Sequence, residues 1–469
     1  MKKILHVDMN SYFATLEQQA HPNLRGKPIG VAGKGDGLPA TPGLAWRAGE
    51  RTVVCAASIE AKEFGVKSGM GVWEALRLCP QLIVIPATYD RYSYTSKRIF
   101  DLLEKFAPKV DIFSIDEAFL ELPARANSKL QALDPKQIEN LKNQISKHWD
   151  LGFGIWDFSN PENCAYLDAV ITALQIKRLI RTEIGEWVSC SIGISYGRVL
   201  AKLAGEMQKP NGLTVITPED FPKIAAITPI EELCGIGWAL RPRLNRMGIT
   251  TIADLGRMPE DMLVTVFGRH TGEWLYRIGN GIDDDILHSW RNLPEEKSIG
   301  HSYTLPRDIA SLSDVKSVLL LLSERVGRRL RHHHLTGKTI SIYLRFGDNT
   351  GWGARHSQKE YLLDGYQIYQ AGVRQLNSLE SFGAVRLIAI SVSDLVEAQD
   401  TTAPLFANSR TNEQLINAVD RLNNRYGEWT VHRGVLHKIK SRIFNLPDGR
   451  DKRKFLPEIT HVNPFTKRI

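Results

Sequence analysis

The sequence predicts a multidomain protein of mixed α+β or α/β class. The 469 residues are enough for two to four domains, and 43 % apolar with 24 % charged residues is ordinary for a globular protein. Short apolar strand patterns alternate with amphipathic helix patterns up to about residue 218. Short helices follow to about residue 285, and a second mixed region begins near residue 299.

The N-terminal half alternates strand and helix patterns around acidic strand ends. It begins with the strand pattern ILHVD, whose last residue is Asp8, followed by the helix pattern ATLEQQA. DIFSIDEAFLEL alternates apolar and polar residues on both sides of Asp116 and Glu117, which predicts two strands joined by an acidic turn. The other predicted strands are PIGVAG, VVCAA and VSCSIGISY, and the other predicted helices are SIEAKEFG, DRYSYTSKRIFDLLEKFA, YLDAVITALQIKRLIRTEIG and RVLAKLAGEMQ.

The C-terminal half changes character twice. From Pro218 to Asp285, short helices are separated by the glycine turns LCGIG and FGRHTG. From Ile299 onward the predicted helices are SDVKSVLLLLSERVGRRLRHH and EQLINAVDRLNNRYG, and the predicted strands are KTISIYLRF and VRLIAISVSDL.

Positive charge is concentrated towards the C-terminus. From Ser298 onward, 25 Lys and Arg stand against 16 Asp and Glu, a balance of +9 in a chain whose total is +8. This distribution is typical of a protein that binds a polyanion. A merely basic soluble domain is the alternative.

Cysteine usage and hydropathy favour a cytoplasmic protein. The cysteines form no C-x-x-C pair, which favours reduced thiols over a zinc site or disulfides; they are Cys55, Cys79, Cys164, Cys190 and Cys234. No apolar run is long enough to span a membrane, and the N-terminus lacks a signal-peptide pattern. We therefore expect a cytoplasmic protein without membrane contact, and we also expect a monomer.

Three carboxylates are candidate metal ligands. A lone aspartate at a strand end is commonly a turn or helix cap, and Asp116–Glu117 alone also fits a solvated hairpin turn. Two strand ends can, however, converge at one edge of a sheet, where three carboxylates repel each other unless a cation is present. Two Mg²⁺ ions about 4 Å apart serve in-line phosphoryl transfer. Asp8, Asp116 and Glu117 fit such a site.

Several motifs together identify a family. In chain order they are VDMNSYFA, EAKEFGVKSGM, SIDEAFLEL, GISYGRVLAKLAGEMQKPNG, LCGIG and KSIGHSYTLPRDI. They resemble a Y-family translesion DNA polymerase, most closely the DNA polymerase IV type, over about residues 1–445. One feature of the fingers, a lysine in an E-A-K context, is similar to the DNA polymerase V catalytic subunit.

The resemblance implies a right-hand polymerase with an additional little-finger domain. The implied parts are a palm (1–12 and 89–218), fingers (13–88), a helical thumb with a helix-hairpin-helix (219–285), a linker (286–297), a little finger (298–445) and a basic tail (446–469). A loop at about 34–52 and a segment at about 123–162 look like insertions relative to the family. They are either surface elaborations or partner-docking elements.

The resemblance also implies the reaction. Asp8, Asp116 and Glu117 would hold two Mg²⁺, helped by the carbonyl of Met9. The 3′-hydroxyl of a primer would attack the α-phosphate of a deoxynucleoside triphosphate and release pyrophosphate, which depends on positioning and charge neutralisation. No second acidic cluster of the exonuclease type follows residue 300. We therefore expect a distributive polymerase of low fidelity that bypasses damage without proofreading.

Nucleotide binding is implied for the turn after Asp8 and for two lysines. The backbone amides of Ser11, Tyr12 and Phe13 would face the triphosphate, as at a helix N-terminus. Lys62 and Lys209 match triphosphate-binding positions. Phe13 matches the steric gate, a bulky ring that excludes a 2′-hydroxyl. The alternative is that Tyr12 is the gate and Phe13 packs in the core.

Two positions depart from the family pattern. The pattern has a tyrosine and an arginine that grip the triphosphate, where this chain has Ile59 and Lys62. Lysine keeps the charge but loses the bidentate fork, and isoleucine donates no hydrogen bond. Nucleotide affinity and subfamily therefore stay open.

DNA contacts are implied for the thumb and the little finger. In LCGIG, Gly235 and Gly237 would let backbone amides approach a phosphate. The little-finger candidates are Lys297, Ser298, Gly300, Arg331, Arg345 and Arg386. Affinity should fall steeply with salt.

A sliding-clamp peptide is a further candidate. LVEAQDTTAPLF places Gln399 ahead of Leu405 and Phe406, with stretched spacing. A loop between a strand and a helix is the alternative.

The sequence allows three other functions. A catalytically weakened member acting as a non-enzymatic scaffold at lesions would fit Ile59, but the acidic triad argues against it. A palm-type nucleotidyl cyclase would lack LCGIG, KSIG and the basic C-terminal region. A structural helix-hairpin-helix DNA-binding protein leaves the N-terminal half without a role.

Overall fold

The computed structural model describes residues 2–33, 51–122, 166–292, 296–379, 383–398, 407–427 and 429–437. The chain divides into two compact units, one of Met1–Ala32, Val54–Met70 and Glu74–Leu293, the other of Gly33–Val53, Gly71–Trp73 and Pro294–Ile469. Some predictions lie outside the described residues: nearly all of the loop at about 34–52, the segment at about 123–162, the clamp residues Gln399, Leu405 and Phe406, and the tail 446–469.

The first unit is a mixture of strands and helices. Its strands are β1 (Lys3–Met9), β2 (Ile29–Ala32), β3 (Val54–Ala57), β4 (Ile83–Pro86), β5 (Lys109–Ile112), β6 (Glu117–Leu122), β7 (Cys190–Ser195) and β8 (Leu213–Ile216). Its α-helices are α1 (Tyr12–Ala20), α2 (Ile59–Glu63), α3 (Val72–Leu78, whose first residues belong to the other unit), α4 (Tyr89–Leu103), α5 (Leu167–Leu179), α6 (Arg198–Met207), α7 (Phe221–Ile227), α8 (Arg241–Arg246), α9 (Ile252–Gly256), α10 (Glu260–Phe267) and α11 (Arg269–Gly279).

A five-stranded sheet forms the centre of the first unit. Its order is β5-β6-β1-β7-β8, with β1 antiparallel to both neighbours and β7 parallel to β8. Because β1 is covered on both faces, Ile4, Leu5 and Val7 are at most 1 % exposed. A smaller sheet has the order β3-β2-β4.

Helix α6 approaches the central sheet closely because two glycines face each other. A Cβ at Gly193 of β7 would lie 2.0 Å from the carbonyl oxygen of Ala201 and 2.2 Å from the nitrogen of Gly205. Gly193 therefore tolerates no side chain without a shift of backbone, whereas a Cβ at Gly205 would meet the His6 side chain at 2.9 Å. The close packing brings one face of α6 onto the acidic end of the sheet.

Residues 221–279 form a helical cluster whose apolar core continues into α6. Its core includes Leu233, Ile236, Leu244 and Leu275. Thr251 and Asp254 form a reciprocal capping box at the start of α9.

The second unit is an antiparallel sheet covered by helices. Its elements are β9 (Ser298–Ile309), α12 (Leu312–His332), β10 (Leu335–Phe346), β11 (Gly351–Leu362), α13 (Gly365–Leu376), β12 (Val385–Glu397) and α14 (Ala407–Tyr426). The strand order is β11-β10-β12-β9. Alternate residues of β10, Ile340, Ile342 and Leu344, are buried against the helices. The residues between them lie on the opposite, open face.

The mixed α/β class is confirmed, but several elements were missed. The prediction lacked β4, β8, β9, β11, α3 and α13. Strand β11, GWGARHSQKEYL, was invisible because it is an edge strand and only Leu362 in it is buried. No helix among the described residues is long and apolar enough to cross a bilayer.

Candidate active site

The register of the central sheet brings the acidic residues together. Asp8 on β1 pairs directly with Glu117, the first residue of β6. Asp116 lies in the turn just before β6, and its carbonyl accepts a hydrogen bond of 3.0 Å from the amide of Met9. The two predicted strand ends therefore converge at one edge of the sheet.

Glu117 is held by two basic side chains. His6 Nε2 lies 2.9 Å from Glu117 Oε2, and Lys202 of α6 forms an ion pair with the same oxygen. Burial would raise the pKa of Glu117, but the hydrogen bonds from His6 and Lys202 outweigh it and lower the pKa to about 2. Glu117 is therefore an anion at neutral pH.

Asp116 has the opposite electrostatic surroundings. Burial raises its pKa above the ordinary value, and the negative charges of Asp8 and Glu117 raise it further, although the hydroxyl of Ser114 donates to it. The cluster therefore contains negative charge that the described side chains leave under-compensated. A hard divalent cation with oxygen ligands fits this donor set.

Lys209 places a positive charge beside Asp8. Its Nζ lies 2.8 Å from Asp8 Oδ2 and 2.7 Å from Glu206 Oε1. Burial would lower the pKa of Lys209, but these two carboxylates raise it. The pKa of Lys62 is lowered, first by burial and then by the charge of Lys209. The two predicted triphosphate lysines are thus close enough to influence each other.

These residues line one cleft in the first unit. It has a volume of about 750 Å³, and its walls include Asp8, Met9, Ser11, Tyr12, Phe13, Ile59, Lys62, Asp116 and Lys209. Nearly all the predicted metal and nucleotide residues therefore share one concave surface, with Ile59 and Lys62 side by side. Glu117 is not among the residues that line the cleft.

The turn between β1 and α1 has a special backbone. Ser11 adopts a left-handed conformation with φ of 48°, and its side chain does not cap α1. Its buried Oγ has no hydrogen-bond partner among the described residues. Asn10 fixes the turn to the loop and strand at β7, since its amide group bonds Ser189 and Ser191 at 3.0 and 2.9 Å.

The two aromatic residues of the turn have different surroundings. Tyr12 is 2 % exposed, and its hydroxyl donates to the carbonyl of Tyr92 at 2.8 Å. The ring of Phe13 is half-buried and stacks on that of Tyr92, with centroids 4.2 Å apart and planes 12° apart. The ring of Phe13 is therefore held by its stacking on Tyr92, whereas the Tyr12 hydroxyl is hydrogen-bonded within the core.

Sequence analysis overlooked His6 and Lys202. His6 precedes Asp8 by two residues, so strand alternation places both on one face, which was a usable signal. Lys202 lies within the AKLAGEMQKPNG motif, but only the packing of α6 shows that it contacts Glu117.

The predicted little-finger residues separate into two groups. Ser298 and Gly300 on β9 and Arg345 on β10 belong to the open face of the sheet, and exposed Lys297 directly precedes β9. Gly300 pairs with Ser391, which pairs with Ser341, so small residues run across this face. Buried Arg345 Nε has no hydrogen-bond partner among the described residues.

Arg331 is bound to a carboxylate, whereas Arg386 lies near one without a hydrogen bond from its Nε to any described residue. Arg331 on α12 binds both oxygens of Asp420 at 2.6 and 3.0 Å and is only 11 % exposed in its side chain. Arg386 Nε lies 3.5 Å from Asp308 Oδ1. The structure therefore does not bring Arg331 together with the residues of the open face.

The LCGIG turn exposes an aromatic residue. Gly235 has φ of 109° and packs on Trp274, where a Cβ would lie 2.8 Å from the ring. Gly237 has open space around it. The next residue, Trp238, is 90 % exposed, which sequence analysis did not single out.

Comparison with known proteins decides the family. The impB/mucB/samB family matches residues 7–206, its C-terminal domain matches 296–405, and the DNA polymerase-iota thumb domain matches 231–283. DNA polymerase IV of Moorella thermoacetica is 34 % identical over 434 residues, which cover 92 % of this chain and 95 % of that protein. DNA polymerase IV of Acetivibrio thermocellus is 32 % identical over 448 residues, covering 92 % and 97 %. The chain belongs to the impB/mucB/samB family.

The fold agrees with this assignment. A solved Y-family DNA polymerase chimera superimposes with a TM-score of 0.64 at 22 % identity, covering 84 % of this chain and 99 % of the chimera. The resemblance to the Y-family polymerases of the DNA polymerase IV type and the predicted fold class are confirmed. The chain is thus a DNA-directed DNA polymerase of the translesion type. The site residues and domain bounds stay predictions.

Proposed function

We propose that this polymerase extends a primer by two-metal nucleotidyl transfer at the cleft around Asp8. The observation that carries the proposal is the convergence of Asp8, Asp116 and Glu117 at one sheet edge, beside a cleft that contains Lys209. A deoxynucleoside triphosphate and a primer-template would be the substrates, with release of pyrophosphate.

Asp8, Asp116 and Glu117, with the Met9 carbonyl, would hold two Mg²⁺. Such ions, when bound, stabilise the attacking and leaving oxygens of a phosphoryl transfer. The pKa of Asp116 is raised first by burial and then by the neighbouring carboxylates, so its charged form lacks compensation that a cation would supply. The protein contributes a rigid edge of sheet that fixes the carboxylates before substrate arrives.

The turn at Ser11–Phe13 and two lysines would bind the triphosphate. The start of α1 offers free backbone amides, and the unpartnered Ser11 hydroxyl supports a polar ligand at this point. Lys209 and Lys62 would add positive charge. Ile59 lines the same wall but has no hydrogen-bonding group. Fewer side-chain donors would therefore bind the triphosphate.

Phe13 would be the steric gate against ribonucleotides. Its ring lines the cleft and stacks on the ring of Tyr92. The ring therefore cannot move aside, and a 2′-hydroxyl would clash with it. Tyr12 is the weaker candidate because its hydroxyl is bonded within the core.

DNA would be held by the thumb turn and by the open face of the second unit. Gly235 and Gly237 would allow backbone contact with phosphate. On the sheet, the candidates are Lys297, Ser298, Gly300 and Arg345. Arg331 is better explained as a structural ion pair with Asp420. Arg386 stays a candidate, although its Nε lies 3.5 Å from Asp308. Binding of a sliding clamp through Gln399, Leu405 and Phe406 stays a prediction.

The test is Mg²⁺-dependent extension of a primer on an undamaged template. Asp116→Ala is expected to reduce extension by roughly 10²-fold or more, because a charge-stabilising group is lost. Glu121→Ala is the matched control, since Glu121 lies on the same strand and face as Glu117 but pairs with Lys109 at 3.3 Å. No extension by the wild type, with primer-template binding intact, would refute the proposal and favour the scaffold.

A further inference from the structure

His6 is a fully buried imidazole next to the acidic cluster. It is 0 % exposed, lies on the same face of β1 as Asp8, and its Nε2 lies 2.9 Å from Glu117 Oε2. A carboxylate accepts hydrogen bonds, so in this 2.9 Å contact His6 Nε2 is the donor. The ring therefore acts on Glu117 as a hydrogen-bond donor.

Packing fixes the imidazole ring. Its centroid lies 4.7 Å from that of Phe119. On the side of α6 it meets the backbone of Gly205, where a Cβ would lie 2.9 Å from His6 Nδ1. Nδ1 has no hydrogen-bond partner among the described residues. The bond to Glu117 is therefore the polar contact for which this ring is oriented.

Both donors on Glu117 meet the same oxygen. Lys202 and His6 contact Oε2, and the side chain of Glu117 is 12 % exposed. An unrestrained glutamate side chain samples several rotamers and loses that conformational freedom when it binds an ion. Here the two donors fix the Glu117 rotamer before any ion binds. They leave Oε1 as the oxygen available to a cation.

We propose that His6 is a positioning residue that holds Glu117 in the orientation needed for metal binding. This inference rests on the proposed two-metal site and adds to it a residue that none of the motifs assigned. The ligand atoms of His6, Asp8 and Glu117 lie within 4.8 Å of one another. Direct ligation by His6 is therefore the competing role, and the experiment must separate the two.

The probe is Mn²⁺, titrated by electron paramagnetic resonance into the full chain with primer-template and nucleotide. The primer ends without a 3′-hydroxyl, so binding is measured without turnover. His6→Phe fills the space without a donor and is expected to weaken Mn²⁺ binding about 10- to 100-fold, as loss of an outer partner of a metal ligand does. His6→Gln keeps an N–H donor and is expected to restore most of the affinity.

Controls separate this effect from general destabilisation. Ser195→Ala removes another buried hydrogen bond of the same sheet, 2.8 Å to the Ile216 carbonyl, without touching Glu117, and should bind Mn²⁺ like the wild type. Asp8→Asn tests the metal site itself. If it leaves the affinity unchanged, the proposed site fails, whatever His6 does.

Two results would overturn the positioning role. One is wild-type Mn²⁺ affinity in a folded His6→Phe variant. The other is nitrogen hyperfine coupling to Mn²⁺ in the wild type that disappears in His6→Phe, which would make His6 a ligand. If His6→Phe does not fold, Gly205→Ala decides: its Cβ would press on Nδ1. Weakened binding supports the proposal and unchanged binding refutes it.

Discussion

Arg345 and Arg331 carry the same charge, yet replacing each by glutamine should affect different properties. Arg345 lies on the open face of the second unit, and its Nε has no hydrogen-bond partner among the described residues. Arg331 lies on α12, with its guanidinium across both oxygens of Asp420. We expect Arg345→Gln to weaken DNA binding and Arg331→Gln to destabilise the second unit.

The cost of Arg331→Gln follows from its ion pair. Removing one partner of a buried pair costs about 3–5 kcal/mol in free energy of unfolding. Arg328 also contacts Asp420, at 2.9 Å, and remains in place. The lower limit, about 3 kcal/mol, is therefore expected. For a unit of about 200 residues, this lowers the melting temperature by about 6–12 °C.

Arg345→Gln should instead change the salt dependence of DNA binding. Loss of one phosphate contact reduces the slope of log affinity against log salt by about 1. Fluorescence anisotropy of a labelled primer-template at several salt concentrations measures the slope, and calorimetry measures the melting temperature. A reduced slope for Arg331→Gln, with an unchanged melting temperature, would refute the structural role assigned to Arg331.

Three further outcomes are expected. Phe13→Ala should lose about 10²-fold of the discrimination against ribonucleotides, measured by single-nucleotide insertion, whereas Phe13→Tyr should keep it. Trp238→Ala should weaken primer-template binding by about 1.4 kcal/mol, or tenfold; Trp73→Ala, which removes another exposed tryptophan, should not. Burial and two neighbouring arginines lower the pKa of His301 from 6.5 to about 4. The unfolded chain therefore binds more protons between these values, so stability falls as pH drops from about 6.5 towards 4. His301→Gln should reduce this loss of stability, measured by urea unfolding at several pH values. An unchanged pH profile would contradict the assignment of the effect to His301.

Much of the active site was predictable because its signals are local. A buried strand that ends in Asp8, an acidic turn at Asp116–Glu117 and a lysine in QKPNG are visible from alternation and spacing within about ten residues each. The edge strand β11 escaped because it carries no distinctive local pattern. The role of His6 escaped because its contact with Glu117 joins residues 111 positions apart in sequence.

The fate of a charged residue depends on partners that are distant in sequence. Arg331 and Arg345 are equally plausible DNA contacts when only composition is considered. One is neutralised by Asp420, 89 residues further along the chain, and the other faces the open side of a sheet. Charge counting cannot separate them, because an ion pair requires contact and not only charge.

The amino-acid sequence by itself determined the chemical types present, their order and the class of those elements with clear periodicity, since hydrophobic periodicity and turn residues act over short distances. Only the tertiary structure decided which groups meet. The antiparallel register of β1 and β6 places Asp8 opposite Glu117, and the facing glycines Gly193 and Gly205 let α6 bring Lys202 to that carboxylate. Those contacts arise because strand register and close packing are properties of the whole chain, which no local segment specifies.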